Sequence, residues 1–236
     1  MGLTLHEVRD DEEFVPLLVA FREGFATPDC ALWRLFMGDW KPHDPAAREA
    51  ALQEATERLR SWHRADPTST WLKVVDDETG ELVAGGRWSL YKKEKPNPYT
   101  GQQRVEALWF PDGEPRRIAS GLMNDFLGTA VRNANRPHAY LNFLFTVPEH
   151  RRRGAASLIM DWGVERAGQQ GLDVYIEATE NGKPLYEKYG LEALEQSSLE
   201  VNEAELPPTS DPLLRDEVIR QLTPFTWWSM VKRAEV

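Results

Sequence analysis

The chain has one cysteine, Cys30, among its 236 residues. No intrachain disulfide can form, so the fold does not require an oxidising compartment. A lone cysteine is more often a small buried hydrophobe than a nucleophile. No run of about 18 apolar residues occurs, so no membrane span is expected. The start of the chain carries His6, Glu7, Arg9 and Asp10 and lacks the apolar core of a signal peptide, which points to a cytoplasmic protein. The histidines His6, His43, His63, His138 and His150 fall at no metal-ligand spacing, and with one cysteine no metal site is expected. Positive charge is short as well: 28 Lys and Arg against 38 Asp and Glu leave a net charge of −10. That excludes a nucleic-acid binder acting through overall charge, but not a local basic site.

Composition is otherwise that of a globular chain, 41% hydrophobic and 28% charged, long enough to bury a core unaided. Nine tryptophans are many for this length. Leu3, Leu5 and Val8 begin a short strand. Asp10 and Asp11 suit the cap of a helix through Phe14, Leu17, Leu18, Phe21 and Phe25, broken by Thr27-Pro28-Asp29. Pro45 opens a second helix over 46–63, which Pro67 ends. Trp71 to Val75 and Leu82 to Tyr91 read as a hairpin, followed by a charged, proline-rich loop over Lys92–Pro98. Arg116–Ala134 suits a helix, Ala139–Val147 a strand, Ser157–Gln170 an amphipathic helix and Asp173–Ala178 a strand. Lys183–Tyr189 fits a short helix ended by Gly190. A strand over Leu191–Val201, a helix over Asp211–Leu222 and a closing strand over Phe225–Val231 complete the order. The hairpin implies antiparallel pairing, and the strand–helix–strand unit one parallel pair. The predicted class is α/β with α+β character: one mostly antiparallel mixed sheet of six to seven strands, helices on both faces, and residues 1–236 as one domain.

The most informative segment runs from Val147 to Ser157, V-P-E-H-R-R-R-G-A-A-S, between a strand and a helix. Gly154, Ala155 and Ala156 leave the helix start free of bulky side chains. Its first amides have no partner inside the helix, and together with the helix dipole they favour phosphate. Arg151, Arg152 and Arg153 add charge for a polyanion. Taken alone, such a run also reads as a solvated basic loop. It is neither a Walker loop, since no Gly-Lys-Ser/Thr follows, nor a dinucleotide fingerprint, since the glycines are missing.

Read as R-x-x-G-x-A over Arg151, Gly154 and Ala156, the segment resembles the acyl-CoA signature of the GNAT superfamily of N-acetyltransferases. A later run, Leu185-Tyr186-Glu187-Lys188-Tyr189-Gly190-Leu191, resembles that family's second hallmark, Leu-Tyr-x-x-x-Gly-Phe/Leu. Both stand in the family's order and spacing. Trp162-Gly163 and Tyr175–Ala178 are similar in texture to uncharacterised fungal members.

The resemblance implies the GNAT fold, acetyl-CoA as acyl donor and a small-molecule amine as acceptor, with a monomer and a homodimer both open. It implies a sheet that splays between two parallel strands, where Phe145, Thr146 and Val147 form the edge that pairs with the pantetheine arm. Pyrophosphate is expected on the turn formed by Arg151, Arg152, Arg153, Gly154, Ala155, Ala156 and Ser157, and Asn181 beside the pantetheine. The run from Asn181 to Tyr186 is two residues shorter than the family pattern, so that helix starts differently. Tyr186 matches the usual acid, a phenol that stays protonated at neutral pH and protonates the leaving thiolate; a core tyrosine is its other reading. For the base, strict alternation along 139–147 puts Tyr140, Asn142, Leu144 and Thr146 on one face and Leu141, Phe143, Phe145 and Val147 on the other, with no carboxylate on either. Glu177, at the end of the next strand, is the leading carboxylate, ahead of His138, Glu106 and a water relay.

The acceptor is expected over the sheet opposite the cofactor, walled by Phe25, Trp33, Phe36, Trp40, Tyr91, Trp109, Phe110, Trp227 and Trp228, each of which also reads as core. Between Glu192 and Glu217, eight acids and one base carry −7 of the net −10, an acidic flank suited to drawing in cationic amines. Two alternatives stay open: a degenerate acyl-CoA-binding module, and an acetyltransferase of peptide lysines or N-termini.

Overall fold

Aspartate side chains cap two of the helices in this chain, through Asp44 and Asp211. The computed structural model describes residues 2–93 and 104–235, so the loop reading over Lys92–Pro98 lies, from residue 94 onward, outside the described residues. Strand β1 (Leu3–Glu7) is followed by a capping box in which Glu13 Oε2 accepts from the amides of Arg9 at 2.8 Å and Asp10 at 3.1 Å. Helix α1 (Phe14–Ala26) then buries Phe14, Leu17, Leu18 and Phe21. Helix α2 (Ala31–Met37) is an addition to the sequence reading. Its run A-L-W-R-L-F-M has too little polar face to show a helical period. It forms because Trp33, Leu35 and Met37 are buried and Gly38, at φ 73°, closes it in the left-handed conformation. Helix α3 (Pro45–Ala65) is capped by Asp44, whose Oδ1 accepts from Ala46 at 3.0 Å and Ala47 at 3.1 Å.

The remaining elements are β2 (Ser69–Asp76), β3 (Leu82–Tyr91), α4 (Glu114–Asn133), β4 (His138–Thr146), α5 (Ala155–Gln169), β5 (Asp173–Ala178), α6 (Lys183–Lys188), β6 (Glu192–Leu199), α7 (Pro212–Leu222) and β7 (Phe225–Lys232). Seven strands make one sheet in the order β1-β2-β3-β4-β5-β7-β6. Every neighbouring pair is antiparallel except β4 with β5.

Two consecutive glycines of β3 fix which helix covers which face. A Cβ on Gly85 would meet Phe145 and Leu17 of α1, whereas one on Gly86 would meet Ile159 of α5. Successive strand residues point to opposite faces, so α1 and α5 lie on opposite sides of the sheet. The α5 face holds Leu72, Trp88, Ile159, Met160, Ile176, Tyr186 and Met230. The other face is covered by α1, α2, α3, α4 and α7, with Phe21, Trp33, Trp71 and Phe145 in one cluster and Leu122, Phe126, Leu222 and Trp227 in another. Five of the tryptophans, Trp33, Trp40, Trp71, Trp88 and Trp227, are core.

Strand β4 does not alternate strictly. Arg87 pairs with Phe143 but Trp88 pairs with Leu141, so Asn142 is an extra residue in a β-bulge. Leu141 therefore packs with Trp88 and Ile176 on the α5 face, while Phe143 and Phe145 face Phe21 of α1. The expected grouping of Leu141 with Phe143, Phe145 and Val147 fails at this bulge. Asn142 Oδ1 accepts from Ser89 Oγ at 2.9 Å, which anchors the extra residue.

Candidate active site

The bulge is followed by a gap in the sheet. Strands β4 and β5 pair from His138 with Asp173 to Leu141 with Ile176, and no further. Strand β4 continues to Thr146, still paired with β3, so one edge of Asn142–Thr146 has no strand beside it. A bulge bends its strand and increases local twist, which carries β4 away from β5. Burial records the opening: the first four residues of this central strand are buried, whereas Asn142, Phe143 and Leu144 are partly exposed. The amide of Val147 donates to Val83 O at 2.9 Å, so that residue faces β3. Backbone groups alternate sides along an antiparallel strand, which turns Phe145 toward β3 as well, and Leu144 and Thr146 toward the gap. Of the three expected edge residues, Thr146 is the one whose backbone faces it, and Arg151 Nε donates to Thr146 O at 3.3 Å.

Beyond Val147 the chain turns into α5 through Arg152, at φ 63°, and Gly154, at φ 90°. Left-handed residues in such a turn point successive amides into one concavity, an arrangement that attracts anions. The amides from Arg152 to Ala156 have no acceptor among the described residues, and Gly154 offers no side-chain cap. A row of free amides at a helix start fits a phosphate group. The three arginines divide. Arg151 Nη2 donates to Gly24 O at 2.8 Å, tying the turn to the end of α1. Arg153 Nη2 donates to Asp76 Oδ2 at 2.6 Å. Arg152 is exposed.

On the α5 face, Tyr186 is 7% exposed and packs with Ala155, Ile159 and Ala178. Helix α6 starts on Thr179, whose carbonyl accepts from Gly182 at 3.0 Å and Lys183 at 2.9 Å and whose Oγ1 also accepts from Gly182. This is the altered start. A Cβ on Gly182 would lie 3.0 Å from Tyr186 Cε2, a contact tighter than side chains ordinarily make. The phenol has no hydrogen-bond partner among the described residues, and burial pushes its pKa above the ordinary value, so it is a protonated donor at neutral pH. Asn181 is exposed beside it in sequence.

On the opposite face, Glu177 sits at the end of β5 among three hydroxyls. Tyr175 donates to Oε1 at 2.7 Å and Ser229 of β7 to Oε2 at 2.8 Å. Thr129 Oγ1 of α4 lies 2.9 Å from Oε1 and 2.7 Å from Phe126 O, two acceptors for one proton. Burial pushes the carboxyl up, the hydroxyls of Tyr175, Ser229 and Thr129 oppose it, and Glu195 on β6 adds to the rise; burial prevails, at about 7. A carboxylate poised there exchanges protons readily near neutral pH. Tyr175 is foreseeable from alternation, two residues before Glu177. Thr129 and Ser229 come from distant elements and carry no local signal.

The other base candidates lie elsewhere. His138 is buried at the far end of β4, its Nδ1 2.8 Å from Arg136 O. Glu106 is a surface residue 3.9 Å from Arg116. The expected aromatic wall also thins out. Phe25 stacks on Trp33 in the α1–α2 core, and Trp40 and Phe110 are buried under α4. Tyr91 packs on His138, Trp109 on Trp62 and Arg58, and Trp228 on the α5 face. Phe36 and Trp227 do join the Glu177 side, together with Phe126 and Phe143, which sequence reading did not single out for it.

A family model described as the acetyltransferase (GNAT) family matches residues 31–191. No curated protein matches the chain. A solved structure from Corynebacterium glutamicum, described as histone acetyltransferase and related acetyltransferase, is 19% identical with a TM-score of 0.58, over 100% of this chain and 98% of its own. The Drosophila melanogaster polyamine N-acetyltransferase, which forms N-acetylagmatine, is 16% identical with a TM-score of 0.58, over 98% of this chain and 100% of its own. An agmatine N-acetyltransferase is 14% identical with a TM-score of 0.54, over 99% of this chain and 100% of its own. At these identities the likeness is one of fold.

Proposed function

The chain belongs to the acetyltransferase (GNAT) family, and from that premise we propose that it transfers an acetyl group from acetyl-CoA to the amine of a small molecule, by direct attack in a ternary complex. One observation carries the reading: the β4–β5 gap has a carboxylate near neutrality on one face of the sheet, Glu177, and a protonated phenol on the other, Tyr186. The two faces can then serve two substrates that meet in the gap.

Acetyl-CoA supplies the acyl group as an activated thioester. The residues that would hold it are the open β4 edge at Leu144 and Thr146 and the free amides from Arg152 to Ala156, with Arg152 as the exposed cation. Ser157 follows this row directly in sequence, and Asn181 stands exposed just before α6. Glu177 takes the proton that the amine sheds as its nitrogen bonds to the acyl carbon. Tyr186 gives a proton to the departing sulfur. A backbone amide at the Asn142 bulge polarises the carbonyl. Holding both reactants in one gap contributes more than either proton transfer. The reading takes residues 1–236 as one catalytic domain acting in the cytoplasm.

Thiol release from acetyl-CoA, measured across a panel of alkylamines, diamines, arylalkylamines and lysine peptides, tests the proposal. A small amine is expected to turn over best. Glu177→Gln and Tyr186→Phe are each expected to lower kcat by about a hundredfold or more. A panel with no acetylated amine overturns the activity. Full kcat in either variant overturns that residue's role and leaves the activity standing.

A further inference from the structure

Four aromatic rings form a chain of contacts on the Glu177 side of the sheet. Phe143, just past the bulge, meets Phe36 of α2 with centroids 5.4 Å apart. Phe36 meets Phe126 of α4 at 5.6 Å, and Phe126 meets Trp227 of β7 at 5.1 Å. The rings thus run from β4, on one side of the gap, to β7, on the other. They join the carboxylate through Thr129, which lies one turn after Phe126 and reaches both its carbonyl and Glu177 Oε1. Ser229, two residues after Trp227 on the same strand face, holds the other carboxylate oxygen.

Two of these rings are not closed off. Phe143 lies on a central strand and Phe36 on a helix packed over it, yet both are partly exposed, as is Glu177. Phe36 is held from behind: Trp109 Nε1 donates to Leu35 O at 2.9 Å and Arg58 Nη2 to Phe36 O at 2.9 Å. The wall therefore offers flat apolar area in a fixed position, at one end of which stands a single carboxylate. A second carboxylate acts on Glu177, that of Glu195, but it already accepts from Arg132 at 3.1 Å and Asn133 at 2.6 Å. Behind the rings Arg58 is paired with Glu54 at 2.9 Å, so that carboxylate is already taken and offers a second ammonium no free partner.

We infer that the acceptor is a primary amine joined by a short spacer to an aromatic ring, with its nitrogen at Glu177 and its ring against Phe36 and Phe143. The inference rests on the acetyltransferase reading and names its substrate class. Aromatic rings gain from edge and offset contacts beyond their buried area, by about tenfold in affinity per well-placed pair. A diamine of similar length forgoes that gain and leaves its second charge desolvated against apolar walls.

The test compares kcat/KM for 2-phenylethylamine, n-hexylamine and 1,4-diaminobutane in the wild type and in Phe36→Ala, with Phe36→Leu as a milder variant should the first fail to fold. The expected order places the arylalkylamine first by about tenfold or more. In the variant its advantage over hexylamine is expected to vanish through KM. Equal or better turnover of the diamine or of hexylamine by the wild type overturns the aromatic class while the acetyltransferase reading survives. An arylalkylamine preference that persists undiminished in the Phe36 variants overturns the assigned ring wall. Absence of turnover with every amine overturns both.

Discussion

At the scale of single residues, three glutamates show how partners decide what a carboxyl does. Glu177 is burdened by burial more than its three hydroxyl donors relieve it, and it stands at about 7. For Glu114 burial also pushes up, but hydrogen bonds from Arg215, Thr209 and Arg117 prevail and hold it at about 2. Glu13 is likewise held at about 2 against burial, by Lys73 and the amides of Arg9 and Asp10. The signs for stability differ accordingly. Glu13 and Glu114 contribute stability above their unfolded value of 4.5 that is lost as pH falls toward about 2. Between 4.5 and about 7 folded Glu177 binds a proton that the unfolded chain does not, so its contribution falls as pH rises through that window. Glu177→Gln should therefore flatten the decline in urea midpoint between pH 5 and 7.5, as read by denaturation at several pH values. In the proposed role of base Glu177 acts ionised, and on that proposal kcat/KM should rise with pH through about 7. Ser229→Ala removes a donor to the carboxylate and should move that limb to higher pH. A limb that stays in place would show that another group titrates.

At the scale of elements, the motifs and the packing were legible to different degrees. The turn before α5, the short helix α6 and the strand–helix–strand unit depend on local residue types, and they read directly from Arg151–Ala156 and Leu185–Leu191. The bulge at Asn142 does not, because register is settled by β3 across the sheet and not by β4 itself. Helix α2 escapes for a related reason: burial against α3, α4 and α7 replaces a visible period. Packing also gives two glycines of one helix opposite meanings. A Cβ at Gly163 would fall 2.1 Å from Trp88 Cε2, on the ring whose Nε1 donates to Ile159 O at 3.1 Å, whereas Gly168 has nothing within 4 Å. Gly163→Ala should destabilise by about 1–3 kcal/mol through overpacking. It should also raise KM for acetyl-CoA, since α5 begins at the turn proposed to hold the pyrophosphate. Gly168→Ala should stabilise by about 0.4–1 kcal/mol by restricting the unfolded chain. Denaturant midpoints of the two variants check the contrast, and equal shifts would deny the close approach of α5 to β3.

At the scale of the whole molecule, charge and sheet order separate the two proposed substrate sites. The strand order β4-β5-β7-β6 sets the acidic run from Glu192 to Glu217 beyond the gap, on the sheet edge and α7. The turn at Arg152 lies at the start of α5, on the far side of β4. Part of the acidic run is partnered: Glu195 with Arg132 and Asn133, Glu217 with Arg220 and Gln221. Even so, eight acids face one arginine over that stretch, and Glu195 acts on Glu177 directly. A cationic amine approaching Glu177 therefore meets a negative field that salt screens, with a Debye length of about 8 Å at physiological strength and about 3 Å at 1 M. KM for the amine should rise by about two- to fivefold from 0.05 to 0.5 M salt, with kcat little changed, because exposed charges steer encounter more than they hold the bound complex. Neutralising Glu200 and Glu203 to Gln, away from Glu177 and its donors, should reproduce part of that rise at low salt and reduce the further effect of salt. A KM that is flat in salt, or unmoved by those substitutions, would mean that the acidic edge serves solubility alone and that Glu177 draws its substrate unaided.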